Sequence, residues 1–265
     1  LQLVAKIQGP ARNLTKLVPA FVSVFTAAER LMELEENPLE EQGEPIYLNK
    51  AEGGVGIKFS NVTYAYDDGK RNVIDNLTFD FKPNSCTAIL GETGAGKTTI
   101  VRLILALLHP VKGNVTIYNK VEEKDISPRT RCNLVYVPQG NTLLSGSIRD
   151  NLRMGRLNAT DEEMYAALDK ACAGFVKELP DGLATNCAEA GGGLSEGQAQ
   201  RIAIARALLR EGSVMIFDEA TSALDPETER TLLKNLLGEH SHTIIFITHR
   251  PAVVDYCDNV LRIGN

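Results

Sequence analysis

The chain has 265 residues, 34 acidic against 28 basic side chains for a net charge of −6, and 43% hydrophobic against 23% charged residues. That is ordinary globular usage, enough for one large domain or two small ones, and it excludes disordered, fibrous and collagen-like classes. The acidic balance also disfavours nucleic acid as the main partner, because phosphate backbones are gripped by an excess of Lys and Arg.

In chain order, Leu14, Leu17, Val18, Phe21, Val22, Phe25, Ala28 and Met32 fall at helical spacing with one wide apolar face, predicting a helix over 14–32. The longest charge-free run, Leu17 to Ala28, has twelve residues and includes Pro19, short of the roughly 20 apolar residues that span a bilayer. From Glu33 to Pro45 the chain is acidic and broken by Pro38, Gly43 and Pro45, and reads as a linker. The opening at Leu1, without Met or a basic-then-apolar leader, reads as a fragment of something longer. Five cysteines, Cys86, Cys132, Cys172, Cys187 and Cys257, stand singly with no C-x-x-C pair, which suits small buried thiols in a reducing compartment.

Beyond the linker, Val55 to Tyr66 and Val73 to Phe81 alternate apolar and polar residues, predicting two antiparallel strands joined by a turn at Asp67-Asp68-Gly69. Cys86 to Leu90 is a short buried strand running into a glycine loop, and Lys97 to Leu108 is an apolar-rich helix stopped by His109-Pro110. Apolar strands follow at Asn133 to Val137, Ser213 to Phe217 and Thr243 to Ile247, separated by helical stretches, which predicts an α/β fold with a mostly parallel sheet covered on both faces. The stretch from about 145 to 210 reads as predominantly helical.

Gly91-Glu92-Thr93-Gly94-Ala95-Gly96-Lys97-Thr98 matches G-x-x-x-x-G-K-[ST] in the strand-to-helix context that the pattern requires. Glycines let backbone N–H groups converge on phosphate oxygens, and the following helix adds its positive end. Lys97 neutralises the β and γ phosphates, and the Thr98 hydroxyl suits Mg²⁺. Val214 to Phe217 leads into Asp218-Glu219, two carboxylates at the carboxyl end of a buried strand. There Asp218 would hold Mg²⁺ through water and Glu219 would orient the attacking water or take its proton; alone, the pair reads equally well as a solvated strand end before a helix cap.

Leu194-Ser195-Glu196-Gly197-Gln198, ending 20 residues before Asp218, makes the order of motifs resemble the ATP-binding-cassette ATPases. The pentapeptide is similar to the family's signature Leu-Ser-Gly-Gly-Gln, with Glu196 at its third position; a helix capped by Ser195 is compatible with that role, being itself an anion site. In the family's order, Tyr66 resembles the aromatic that stacks on adenine, Gln139 the glutamine loop, Ser222-Ala223-Leu224-Asp225 the D-loop, and His249 the switch histidine. Tyr64 competes with Tyr66 for the stacking role, and Tyr66 is favoured as nearer the turn.

The resemblance implies a P-loop NTPase (RecA-like) sheet flanked by helices, with a small antiparallel β layer and a helical subdomain. It implies ATP and Mg²⁺ as ligands, with catalysis by Glu219, His249, Lys97 and Gln139, metal contacts from Thr98, Gln139 and Asp218, and nucleotide contacts extending to Thr99. Ser195, Gly197, Gln198 and Asp225 would act across a head-to-tail pair of cassettes, homodimeric or heterodimeric. Ala188-Glu189 to Gly193 resembles the X-loop of exporter cassettes, Gln139 to Leu152 resembles their stretch after the glutamine loop, and Thr26 to Leu34 the cytoplasmic end of a last transmembrane helix. The implied layout is 1–36 as that helix end, 37–54 as linker and 55–265 as an ATPase domain at the cytoplasmic face of a membrane exporter. The competing classes are a soluble ATPase of this type in DNA maintenance or translation, and a non-hydrolysing ATP clamp. Against the first stand the single cassette and the 97 residues from Lys97 to Leu194, too few for a long coiled-coil insert; against the second stand Glu219 and His249.

Overall fold

The computed structural model describes residues 2–37, 39–66, 72–187, 193–238 and 241–264. The chain divides into two units, Leu1–Glu41 and Gln42–Asn265.

The first unit holds helix α1 (Gln2–Glu35), which reaches twelve residues further back than the apolar pattern predicts. Good helix formers such as Ala, Lys, Gln and Arg propagate a helix beyond its apolar stripe once it is nucleated. Asn37 closes it, its amide donating to Glu33 O at 3.0 Å, one residue before Pro38. Phe21 and Phe25, one turn apart, face solvent with Leu17, Val18 and Val22. Among the described residues no helix is long and apolar enough to cross a membrane.

The second unit opens with antiparallel strands β1 (Gly56–Tyr64) and β2 (Ile74–Phe81); the turn expected at Asp67 to Gly69 lies outside the described residues. Strand β3 (Cys86–Leu90) feeds the glycine loop and α2 (Lys97–Ile104). Next come β4 (Lys112–Tyr118) and β5 (Glu123–Asp125), completing a four-stranded sheet in the order β2-β1-β4-β5 where the alternation showed only two strands. After β6 (Leu134–Val137), the minimal pair β7 (Gly146–Ser147) and β8 (Asn186–Cys187) brackets α3 (Ile148–Arg153) and α4 (Asp161–Lys170). Helix α5 (Glu196–Leu208) leads to β9 (Val214–Asp218), α6 (Pro226–Leu237), β10 (Thr243–Ile247), α7 (Pro251–Val254) and β11 (Asn259–Arg262).

The second sheet is parallel throughout, in the order β11-β3-β10-β9-β6. Its central strands are continuous apolar runs because both faces are buried. In β9 and β10, Val214, Ile216, Ile245 and Ile247 enter one core with Ile57, Phe59, Phe81 and Ile100, under the antiparallel sheet and α2. Their alternates Met215, Phe217, Ile244 and Phe246 enter a second core with Leu152, Leu168, Ile202 and Leu233 of the helical layer. Part of the segment read as linker is bonded into this fold: Ile46 N donates to Arg129 O at 2.9 Å, Leu48 N to Asn133 Oδ1 at 2.8 Å, and Leu48 is buried. Its prolines and acids conceal apolar anchors, buried Leu48 and partly buried Ile46, that no periodicity announces.

The β1–β4 pairing carries a bulge between Ser60 and Thr63, opposite Gly113. Gly113 has φ +75°, and a Cβ there would stand 2.3 Å from Ser60 O and 2.4 Å from Asn61 O. Gly113→Ala should therefore lower stability by about 2–4 kcal/mol, read as a reduced urea midpoint at unchanged slope.

Candidate functional site

Four adjacent parallel strands deliver the site from their carboxyl ends. Strand β3 releases the glycine loop, β10 leads through Thr248 to His249, β9 ends at Asp218 with Glu219 next, and β6 leads through Pro138 to Gln139. Tyr66, Glu92, Thr93, Gly94, Gly96, Lys97, Thr98, Thr99, Gln139, Asp218, Glu219 and His249 all line one cleft of about 360 Å³.

The glycine loop has its shape for steric reasons. Gly94 and Gly96 take φ +85° and +106°; a Cβ on Gly96 would press to 2.9 Å from Ile74 Cδ1, and one on Gly91 to 2.6 Å from Ile263 O. Gly96 caps α2 without a side-chain bond, leaving the first amides of that helix at the cleft. Lys97 is buried, its Nζ donating to Gly91 O at 2.5 Å and Glu92 O at 3.1 Å, and standing 3.2 Å from His249 Nε2.

Glu219 sits between two partners, with Gln139 Nε2 donating to Oε2 at 2.7 Å and His249 Nε2 3.2 Å from Oε1. His249 Nε2 thus faces an ammonium and a carboxylate at equal distance; it accepts from Lys97 in one tautomer and donates to Glu219 in the other. The backbone of Glu219 has φ +48°, a left-handed conformation uncommon outside glycine, held by Glu219 N donating to Ile247 O at 2.9 Å. Asp218 accepts from Tyr136 Oη at 2.9 Å; burial raises its carboxyl above the usual range and the Tyr136 bond works against that rise. The Asp218 environment and burial push the Tyr136 phenol up in turn, burial being the larger cause.

Of the two candidate aromatics, Tyr66 is 39% exposed at the cleft and Tyr64 is buried in the core beneath it, their rings edge to face at 5.1 Å. Thr99 Oγ1 and Arg102 Nη1 each lie 3.3 Å from Tyr66 Oη, which fixes the ring's edge.

Ser195, Gly197, Gln198 and Asp225 do not line this cleft. Ser195 caps α5: its Oγ accepts from Gln198 N at 3.2 Å while Gln198 Oε1 accepts from Ser195 N at 2.9 Å. Asp225 caps α6 through the amides of Glu227 and Thr228, and the Thr228 bond above all holds its carboxyl below the usual range. The stretch Ala188 to Gly192 lies outside the described residues.

Three connections tie these outer residues back to the cleft, and none announces itself in the sequence. A Cβ on Gly197 would stand 2.8 Å from Ala223 O, so α5 backs directly onto the loop 222–225. Buried Gln200 bonds that loop at both ends of its amide, Nε2 donating to Ser222 Oγ at 3.2 Å and Oε1 accepting from Ala223 N at 3.1 Å. Arg250, next to His249, donates to Ser222 O at 2.9 Å and Leu224 O at 3.0 Å and pairs with buried Glu229 at 3.0 Å.

Arg250→Ala leaves the Glu229 carboxylate buried with no cation. Breaking a fully buried pair costs 3–5 kcal/mol, but Arg250 is 34% exposed and water softens the loss, so about 2 kcal/mol is expected in urea melts. Glu229→Leu combined with Arg250→Met should recover most of it, since the unpaired charge is then gone.

Among known proteins, the family described as ABC transporter matches residues 74–222, more than half the chain. The chain belongs to the ABC transporter family. It is 35% identical, over 271 residues, to the mitochondrial iron-sulfur clusters transporter ATM1 of Kluyveromyces lactis, covering 100% of this chain and 37% of that one. It is 41% identical, over 218 residues, to the β-(1→2)glucan export ATP-binding/permease protein NdvA of Brucella melitensis, covering 81% and 36%. A bacterial Atm1-family ABC exporter solved with ATP bound superposes with a TM-score of 0.80 at 32% identity, covering 91% of this chain and 42% of the exporter. The chain thus spans little more than a third of the curated relatives' length. As an ABC transporter chain it has the family's ATP-binding domain, an α/β P-loop fold that combines a parallel sheet with antiparallel strands.

Proposed function

We propose that this chain is the ATP-binding and ATP-hydrolysing domain of an ABC exporter, acting as one half of a head-to-tail pair at the cytoplasmic face of a membrane. The observation that carries the reading is the convergence of Lys97, Gln139, Asp218, Glu219 and His249 on one cleft with the glycine loop. Helix α1 is then the cytoplasmic end of the last membrane helix and residues 37–54 the connection to the ATPase domain.

The glycine-loop amides and the amino end of α2 bind the phosphates, and Tyr66 stacks on adenine. Lys97 exchanges its carbonyl acceptors for β- and γ-phosphate oxygens. Glu219 accepts a proton from the attacking water as the bond from the γ-phosphorus to its bridging oxygen breaks. Gln139 and His249 hold the two oxygens of that carboxylate, and His249 reaches the γ-phosphate. Thr98, Gln139 and Asp218 offer only oxygen ligands of the hard kind that suit Mg²⁺, with Tyr136 occupying one Asp218 oxygen. When bound, Mg²⁺ neutralises charge on the phosphate oxygens.

Ser195, Gly197, Gln198 and Asp225, which lie outside the cleft, are available to close the partner's nucleotide site. The test is Mg²⁺-dependent ATP hydrolysis against protein concentration, with size-exclusion chromatography in the presence and absence of ATP. A specific rate that climbs with concentration supports the composite site. ATP binding without turnover, even with the membrane domain attached, would instead identify a non-hydrolysing clamp.

A further inference from the structure

The five cysteines stand singly in sequence, yet two meet in space: Cys86 Sγ and Cys257 Sγ are 2.8 Å apart across 171 residues of chain. Cys86 opens β3 and is 3% exposed, while half-buried Cys257 lies two residues before β11. Their backbones are fixed from both sides of the contact. Cys86 N donates to Asp258 Oδ2 at 2.8 Å, Asp258 N donates to Cys86 O at 2.9 Å, and the parallel register begins one residue later with Asn259 opposite Thr87. A disulfide requires α-carbons about 4.4–6.8 Å apart and side chains directed at one another. Cys257 lies one residue out of register with Cys86, so about 4.8 Å between strands and about 3.3 Å along one put the α-carbons roughly 6 Å apart, and the thiol contact shows the second.

We infer that Cys86 and Cys257 form an oxidation site that closes to a disulfide on exposure to a low-molecular-weight disulfide. The roles of the two thiols are unequal. Cys257 is the more accessible, and its hydrogen bond to Cys86 together with burial pushes the Cys86 thiol well above its ordinary range. Cys257 thiolate attacks one sulfur of the small disulfide, whose S–S bond breaks and expels one thiolate. Cys86 then gives up its proton, attacks Cys257 Sγ and expels the second. Two protein thiols lose two electrons in all, and the small disulfide becomes two thiols. In a reducing compartment the pair remains as thiols.

The bond acts at one end of the sheet. Among the described residues strand β11 is hydrogen-bonded to β3 alone, and the crosslink pins its start. The glycine loop leaves β3 at the opposite end, so nucleotide affinity is unaffected. Closing so long a loop restricts the unfolded chain and should raise the melting temperature by about 5 °C or more.

The chain is incubated with oxidised glutathione at neutral pH, its free thiols are alkylated, and it is digested without reductant for mass spectrometry. The expected result is a peptide linking Cys86 to Cys257, two fewer free thiols, and a melting temperature that rises and returns with dithiothreitol. Cys257→Ser should lose both the link and the shift, and Cys86→Ala, where it folds, should stop at a mixed glutathione disulfide on Cys257. A stable mixed disulfide in the parent chain, links through Cys132, Cys172 or Cys187, or an unchanged melting temperature on complete linkage would each overturn the inference.

Discussion

Glu219→Gln should leave ATP binding intact while lowering turnover by roughly 10²- to 10⁴-fold, the usual contribution of a positioned general base. The substitution is nearly isosteric, and the site can accommodate it. The new amide oxygen can accept from Gln139 Nε2, now 2.7 Å from Oε2, and its NH₂ can donate to the lone pair of His249 Nε2, now 3.2 Å from Oε1. The backbone at φ +48° is held by the amide bond to Ile247 O, which the substitution does not touch. The loss therefore falls on kcat, with KM little changed, and single-turnover hydrolysis alongside equilibrium binding of a fluorescent ATP analogue separates the two. The variant should also accumulate as an ATP-bound dimer on size exclusion. Turnover at the parent rate would remove Glu219 from the mechanism.

Lys97→Ala should act one step earlier, on binding. The ammonium is buried against two loop carbonyls and stands beside His249, so it is poised where phosphate charge would arrive. Charge-assisted hydrogen bonds contribute about 1.5–3 kcal/mol, so the dissociation constant for ATP should rise roughly 10- to 100-fold. Titration calorimetry with ATP measures this directly, and an unchanged affinity would break the phosphate-loop assignment. Together the two variants divide the site: one binds without turning over, the other fails to bind at working nucleotide concentrations.

What the sequence disclosed and what it hid differ by the range of the interaction. The buried strand Cys86 to Leu90 and the glycine loop after it lie within one contiguous stretch, so local pattern located them to the residue. Strand β4 shows no alternation because Lys112, Gly113 and Asn114 are exposed and Val115 to Ile117 are buried in succession, and β11 because four residues carry too little periodicity. Leu48 was hidden among prolines and acids. In the cleft, the carboxylates Asp218 and Glu219 could be placed at a strand end, but the left-handed backbone of Glu219 depends on Ile247 in a different strand. Tyr136, Gln200 and Arg250 reach their partners across 82, 22 to 23 and 26 to 28 residues of chain, distances at which no spacing rule operates. Cys86 and Cys257 are the extreme case.

The order of the parallel sheet has a consequence for how such a domain can vary. The glycine loop, His249, Asp218-Glu219 and Gln139 leave successive strands β3, β10, β9 and β6, so their order in space differs from their order in the chain. Each step across the sheet is one ladder of backbone hydrogen bonds, about 4.8 Å, and is indifferent to how much chain joins one strand to the next. The sheet therefore works as a fixed ruler graduated in strands. The connection between β6 and β9, which holds α3, α4 and α5, can be lengthened, shortened or reshaped to meet a new partner without moving Gln139 relative to Glu219. Reactive geometry and partner recognition are thereby free to evolve separately.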